Sequence, residues 1–348
     1  MNGLILFAAL ILFLRIGRTI IIPLLVATFL WYLINAISSY FRRIMPYSDA
    51  SARKSHYWPA RIFDWASNII SALALAGVVF LFVTQVSPMF SELMAAMPTL
   101  QQKLTEFGHY LSNSMGLEFD ANMLPNITKM AANIGSSVAG IATSVGMIFV
   151  YLLFMFIEQT TFNKKFAALF PNKTQSKKMR YILDSINTNM KKYLFMKTLL
   201  SAITGVLSYF WLQFIGVEFA GIWAFIVFIT SYIPTIGAIV ACGLPILFSL
   251  VTAPGLEQPV LTAIGLIGLQ ILFGNILEPK LTGSTLNLST LAILINLVFW
   301  GMIWGIAGMF FSVPLLVATF IITAQFDSTR WIAILLSADG KIPDKSDT

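Results

Sequence analysis

The chain has 348 residues, 57% of them hydrophobic and only 11% charged, with a mean hydropathy of +0.81. Soluble domains carry about a quarter charged residues, and no soluble fold of this length hides so much apolar surface, so the composition excludes a soluble protein and predicts an all-α, polytopic helical membrane protein. The formal net charge of +7 is read as loop charge on the cytoplasmic side rather than a nucleic-acid footprint, and the single Cys242 excludes an intrachain disulfide.

In chain order, residues 1–86 hold the first three spans. Leu4 to Leu14 is apolar but short and closes on Arg15 and Arg18. Met1-Asn2-Gly3 lacks the side-chain charge that precedes the apolar part of a secretory signal, so the stretch is not read as one. A second run, Thr19 to Ile37, is close to the roughly 20 residues that a span needs. Leu4 to Ile37 reads as two closely connected helices; the alternative is one long bent helix with Arg15 and Arg18 snorkelling or facing protein. The loop 38–68 carries Arg42, Arg43, Arg53, Lys54 and Arg61 against Asp49 and Asp64, and reads as cytoplasmic. His56 has no second ligand at metal spacing and reads as an interfacial residue beside Tyr57 and Trp58. Ile69 to Val86 is the third span.

Residues 87–133 form a helical excursion without the basic excess, expected on the extracytoplasmic side. Within it Phe90, Leu93, Met97, Leu100, Leu104, Phe107 and Leu111 alternate by three and four, an a/d seam that Pro98 should bend or interrupt. The seam fits a hairpin closing on its own return arm and fits pairing between subunits. The fourth span, 134–158, opens with Gly135, Ser136, Ser137, Ala139 and Gly140, small residues that permit close helix packing. Residues 159–193 are the most basic segment. Met179, Ile182, Leu183, Ile186, Met190 and Tyr193 share one helical face there, flanked by lysines, the pattern of a helix lying on an anionic leaflet.

Residues 194–326 are the expected transport core. After a fifth span, Leu194 to Ile215, two long apolar runs at 219–252 and 288–324 each exceed one span. Pro234, Gly237 and Pro245 break the first, and Pro314 the second. Each reads as a helical hairpin, full or re-entrant, and about eight membrane segments are expected in all. Broken helices are where transporters place binding sites, because irregular backbone survives at that depth only when covered by protein or facing a cavity. Gly301 and Gly305 form a GxxxG match that Gly308 extends, a face suited to close helix packing. Asn296, Trp300 and Trp304 fall four apart on that run, one amide and two indoles in a stripe. The tail 327–348, like the N-terminus, is expected in the cytoplasm.

Between the two runs lies Gly274-Asn275-Ile276-Leu277-Glu278-Pro279-Lys280. Charges at a joint between membrane-length runs are costly and mark functional candidates. Gln270, Gly274 and Glu278 are spaced by four, so a plain α-helix would line two polar groups along one face with a notch between them. The bland reading is that Glu278 and Lys280 mark the end of a span, with Pro279 acting as a helix breaker. The sharper one makes Gln270, Asn275, Glu278 and Lys280 part of a pathway, together with Tyr232, Asn296 and Trp300.

The ordered series Tyr232-Ile233-Pro234-Thr235-Ile236-Gly237, Phe273 to Lys280, Leu288-Ser289-Thr290-Leu291, Phe299-Trp300-Gly301, Trp304 to Met309 and Ser312-Val313-Pro314-Leu315 closely resembles the autoinducer-2 exporter family of bacterial inner-membrane permeases. The resemblance covers most of the chain; the loop Ser48 to Trp58 departs from it in length. It implies a multi-pass inner-membrane permease that moves a small polar solute as a homo-oligomer, with a pentamer the associated form, and most similar to the subgroup exporting autoinducer-2 for quorum sensing. Other members look like sodium or lithium/proton antiporters. The family has no catalytic motif to carry over, and no cofactor is implied.

Three function classes are open to such a chain. An exporter of a hydroxylated, uncharged signal would use amides, hydroxyls and indoles. A cation/proton antiporter needs a titrating carboxylate inside the membrane, for which Glu278 is the candidate with Glu158 behind it. A non-transporting oligomeric scaffold would rest on the heptad seam and the GxxxG face. No Walker loop supports an ATP-driven pump, and no His, Cys and Asp cluster supports an enzyme or a metal site.

Overall fold

The computed structural model describes residues 2–44, 88–106, 108–109, 144–159, 161–282 and 287–342, with isolated positions among 69–84. Most of the predicted loop 38–68, most of the third span, the seam beyond residue 109 and the start of the fourth span lie outside the described residues. The described regular structure is helical: α1 (Asn2–Ile16), α2 (Arg18–Ile44), α3 (88–106), α4 (Ser144–Gln159), α5 (Phe162–Leu169), α6 (Lys173–Phe214), α7 (Ala220–Thr230), α8 (Ile236–Thr252), α9 (Glu257–Gln270), a π-helical turn (Ile271–Leu277), α10 (Glu278–Thr282), α11 (Thr290–Trp304), α12 (Ile306–Ala324) and α13 (Arg330–Leu336). Among the described residues, four stretches are long and apolar enough to cross a bilayer: Arg18–Ser39, Gln175–Phe214, Glu257–Leu281 and Ile306–Ala324. The fold is that of a polytopic helical membrane protein.

The N-terminal run resolves into two helices that part at Gly17, with Arg15 and Arg18 exposed on either side. α3 runs through Pro98 without a break, and Pro98 lies on its exposed side. α6 is one helix of 42 residues, so no boundary falls at the expected junction between a basic surface segment and a fifth span. At 1.5 Å per residue α6 is about 63 Å long, whereas the 11 residues of α7 reach only about 16 Å, half a hydrocarbon core of about 30 Å.

The chain divides into two compact units: Met1–Gly77 with Val145–Thr198 and Glu278–Thr348, and Val78–Ser144 with Leu199–Leu277. In the first, Met190, Tyr193 and Leu194 of α6 bury against Val313, Val317, Phe320, Ile321 and Ala324 of α12 and Ala333 of α13. The α6 face expected to lie on an anionic leaflet is therefore core over its C-terminal part, and Ile182 on the same face is also buried. The apolar face exists, but its partner is protein. In the second unit Leu93, Met97 and Leu100 of α3 pack with Leu212 of α6, Ile222 and Trp223 of α7, Phe248 of α8 and Leu266 of α9. The described part of the heptad seam thus packs on α6 to α9 of its own chain.

Both long apolar runs are helical hairpins. α11 and α12 part at Gly305, whose φ of +63 suits a residue without a side chain. One turn on, a Cβ at Gly308 would lie 1.9 Å from the carbonyl oxygen of Trp300, so the returning helix touches the backbone of the outgoing one. α7 and α8 close alike: a Cβ at Gly237 would lie 1.8 Å from the Thr230 carbonyl oxygen. Here the turn also holds Thr235 at φ +60, a costly conformation for a β-branched residue. Gly308→Ala should therefore destabilise the protein by about 1–3 kcal/mol or more through overpacking, whereas Gly268→Ala, whose added methyl would meet nothing within 4 Å beyond its own stretch of helix backbone, should be neutral or slightly stabilising. Thermal unfolding in one detergent, with the two variants side by side, checks the contrast.

Candidate functional site

α6 carries Lys197 inside its apolar part, and the Lys197 side chain is 7% exposed. A lone ammonium there would be strongly disfavoured. Its partner comes from 81 residues further along: Nζ donates to both carboxylate oxygens of Glu278, at 2.5 and 2.6 Å. Glu278 is 26% exposed, so the pair has a buried and a more open end. The acid is positioned by being the first residue of α10, immediately after the π-helical turn.

The π-helical turn has a local cause. Pro279 offers no N–H, and in an α-helix its ring would collide with the carbonyl of Asn275, four residues back. A wider turn with i→i+5 bonding relieves that collision. The wider turn also changes the expected register. Gln270, Gly274 and Glu278 would share a face only in an α-helix, and Ile271–Leu277 is not one. Gly274 keeps a different relation to Gln270: a Cβ there would sit 3.0 Å from the Gln270 amide nitrogen, so the carboxamide lies over the glycine.

The other sequence candidates separate into three groups. Asn275 and Lys280 are exposed at the surface of the joint, beside Pro279. Asn296 and Trp300 face inward within the α11–α12 hairpin. The Asn296 amide donates to the Ser312 carbonyl at 2.6 Å, its oxygen accepts the Trp300 indole N–H at 3.1 Å, and Trp300 packs on Trp304 with ring centres 4.5 Å apart. Trp304 in turn donates to the carbonyl of Leu14 on α1 at 2.9 Å. These polar groups find their partners within the hairpin and on α1. Tyr232 is buried at the α7–α8 turn, edge-on to Phe228 with centroids 5.8 Å apart, and Pro234 follows in the same turn. Pro245 is buried inside α8 and Pro314 sits inside α12, each without ending its helix. Gly301 faces Met309 across the second hairpin.

Sequence reasoning passes over Lys197, and with it the stripe that Lys197 heads. Lys197, Ser201, Thr204 and Ser208 are all buried and fall four, three and four apart on α6. Thr204 donates to the Leu200 carbonyl at 2.8 Å, while the Ser201 and Ser208 hydroxyls have no hydrogen-bond partner among the described residues. That spacing is visible in the sequence. Among the described residues, no group of three His, Cys, Asp or Glu side chains could hold a metal ion.

The fold and this ion pair define a multi-pass membrane protein with a charged pair joining two apolar, membrane-length helical stretches. Residues 4–328 match the family described as AI-2E family transporter, and the chain belongs to that family. It is similar to the AI-2 transport protein TqsA of Escherichia coli K12, 26% identical over 93% of this chain and 91% of that one. Proteins named only for transport are similar over shorter spans. One from Borreliella burgdorferi is 33% identical over 61% of this chain and 58% of its own length. One from Haemophilus influenzae is 33% identical over 63% and 62%.

Removing one partner leaves an uncompensated buried charge, which costs about 3–5 kcal/mol, whereas replacing both by apolar residues of similar volume is often neutral. Lys197→Met and Glu278→Leu should each lower the melting temperature clearly, and the double variant should recover most of the loss. A double variant as unstable as the sum of the two singles would remove the pairing as the cause.

Proposed function

We propose that the protein exports a small polar molecule across the bacterial inner membrane, with autoinducer-2 as the substrate and quorum sensing as the role. The observation that carries this reading is the similarity to an AI-2 transport protein along 93% of the chain, with the same span of the family model. The pathway would run past Glu278, with Lys197 as its internal counter-ion and Gln270 and Asn275 on the adjoining turn. Asn296, Trp300 and the hairpin glycines would act by holding α11 to α12, and Tyr232 and Pro234 by shaping the first hairpin. The protein would work as a homo-oligomer, a pentamer by resemblance, with both termini and the basic residues in the cytoplasm.

The Lys197–Glu278 pair favours one second reading, sodium or lithium/proton exchange. A carboxylate held by an ammonium can trade that partner for an inorganic cation when the pair opens. The two readings separate by experiment. Cells making the signal should accumulate it when the gene is deleted, and wild-type protein should restore release. The Lys197→Met/Glu278→Leu double variant, folded and inserted, should not restore it. Unchanged release by that variant would end the pathway role of the pair. In everted vesicles the export reading expects no sodium- or lithium-dependent proton movement; clear exchange that disappears in Glu278→Gln would replace it with the antiport reading.

A further inference from the structure

Beyond the hairpin α11–α12 the chain turns back at once. α12 is a membrane-length apolar helix and ends at Ala324. The turn after it is closed by its own bonds: Gln325 N–H to the Ile322 carbonyl at 3.2 Å, Thr329 N–H to the Phe326 carbonyl at 3.0 Å, and the Thr329 hydroxyl to the Thr323 carbonyl at 3.1 Å. α13 therefore starts at the end of a span, where hydrocarbon gives way to headgroups.

α13 has two faces. Ala333 is fully buried in the core with α6 and α12. Trp331, Ile334 and Leu335, three and four apart on the opposite side, are 60%, 44% and 69% exposed. This apolar face is held in place. Ser289 N–H bonds the Leu336 carbonyl at 2.8 Å and Ala338 N–H the Asn287 carbonyl at 2.9 Å, with Leu288 and Ser337 paired as a β-bridge. The Asn287 amide also donates to Asp339 at 2.7 Å and to the Lys341 carbonyl at 2.8 Å. The bond from Asn287 holds the Asp339 carboxyl below the usual carboxylate range. The face cannot fold inward without breaking these ties.

Its border is basic. Arg330 opens α13, and Lys178 of α6 lies over the Phe326 ring, 4.9 Å from its centre, in the turn between α12 and α13. Lys177 is exposed next to Lys178 on α6, the Arg180 guanidinium lies over the Phe166 ring of α5 instead, 5.3 Å from its centre, and Asp327 is the acidic residue in the turn after α12. A tryptophan and two aliphatic side chains bordered by cations, at the end of a span, are matched by an anionic leaflet: indole and aliphatic groups enter the headgroup–acyl boundary while Arg and Lys meet phosphates.

We infer that α13 is an interfacial anchor that seats Trp331, Ile334 and Leu335 in the leaflet next to the C-terminal end of α12, on anionic phospholipid, and so fixes the start of α11 through residues 287–289. The test uses the full chain with Cys242→Ser, carrying Ile334→Cys or Leu335→Cys labelled with bimane, in nanodiscs of phosphatidylcholine with and without phosphatidylglycerol. Nitroxide lipids labelled near the headgroup should quench the bimane at least about twofold more than those labelled at mid-bilayer, and the difference should grow with phosphatidylglycerol. Equal or stronger quenching from mid-bilayer would overturn the anchor. So would quenching by aqueous iodide alone, which puts the face in water, and so would protection from every quencher, which puts another protein surface over it. Labelling at Ala333→Cys, a core position, reports whether the region has stayed folded; where that variant labels as readily as the other two, the comparison is repeated with Trp331→Cys.

Discussion

An ammonium group is hard to keep inside a membrane helix, and much of this molecule depends on how Lys197 is kept there. The bidentate contact with Glu278 offsets the cost of removing both ions from water. It also forces a meeting of two segments far apart in sequence. α6 must bring Lys197 to where α10 begins, and α10 can begin there only if the chain between α9 and α10 ends in the right orientation. The pair has an open side at Glu278 and a closed side at Lys197. Any change in the carboxylate's partner would be felt by a helix of 42 residues.

The π-helical turn is the means by which Glu278 reaches that position. Gly274 leaves room for the Gln270 carboxamide, and Pro279 keeps the following turn from closing as a normal α-helix. One short motif thus combines a flexible residue, a backbone breaker and an acid. Each is individually common in membrane helices. Their order is what fixes the acid at the first residue of a new helix, with its backbone partly released from i→i+4 bonding. This also separates the roles of neighbouring residues: Asn275 and Lys280 stand at the surface of the joint, whereas Glu278 is turned towards Lys197.

The class of fold and the joint at Glu278 were legible in the sequence because both depend on strong local signals, composition in one case and charges between apolar runs in the other. Lys197 was not, since a single lysine barely alters the hydropathy of the run Leu194 to Ile215. Its helical spacing to Ser201, Thr204 and Ser208 was the signal that could have found it. The apolar face at Met179 to Tyr193 is real as a face, yet periodicity does not say whether lipid or protein covers it, and here α12 and α13 do. The expected alignment of Gln270 with Glu278 failed for a related reason. A spacing of four aligns side chains only if the backbone is α-helical, and Pro279 argues against that.

Asn296 illustrates how far residue type alone can mislead. An amide and an indole in an apolar run look like groups waiting for a polar solute. In the folded chain they bond each other and the backbone of the returning helix, satisfying polar groups that lipid would leave unpaired. The same logic explains the glycines. Gly308 and Gly237 sit where a second helix passes against a carbonyl of the first, and a methyl at either point would collide with backbone rather than with a movable side chain. The two hairpins are thus closed by the same device but differ in reach, since α7 is only 11 residues long and its turn carries the strained Thr235. A short helix with a strained turn stores free energy that a small rearrangement could release, whereas the α11–α12 hairpin, tied by Asn296 and Trp300 and continued into α13, turns on a glycine that adopts its positive φ at little cost. Backbone strain is therefore concentrated in the turn of the first hairpin, and Glu278 lies on the chain between the two.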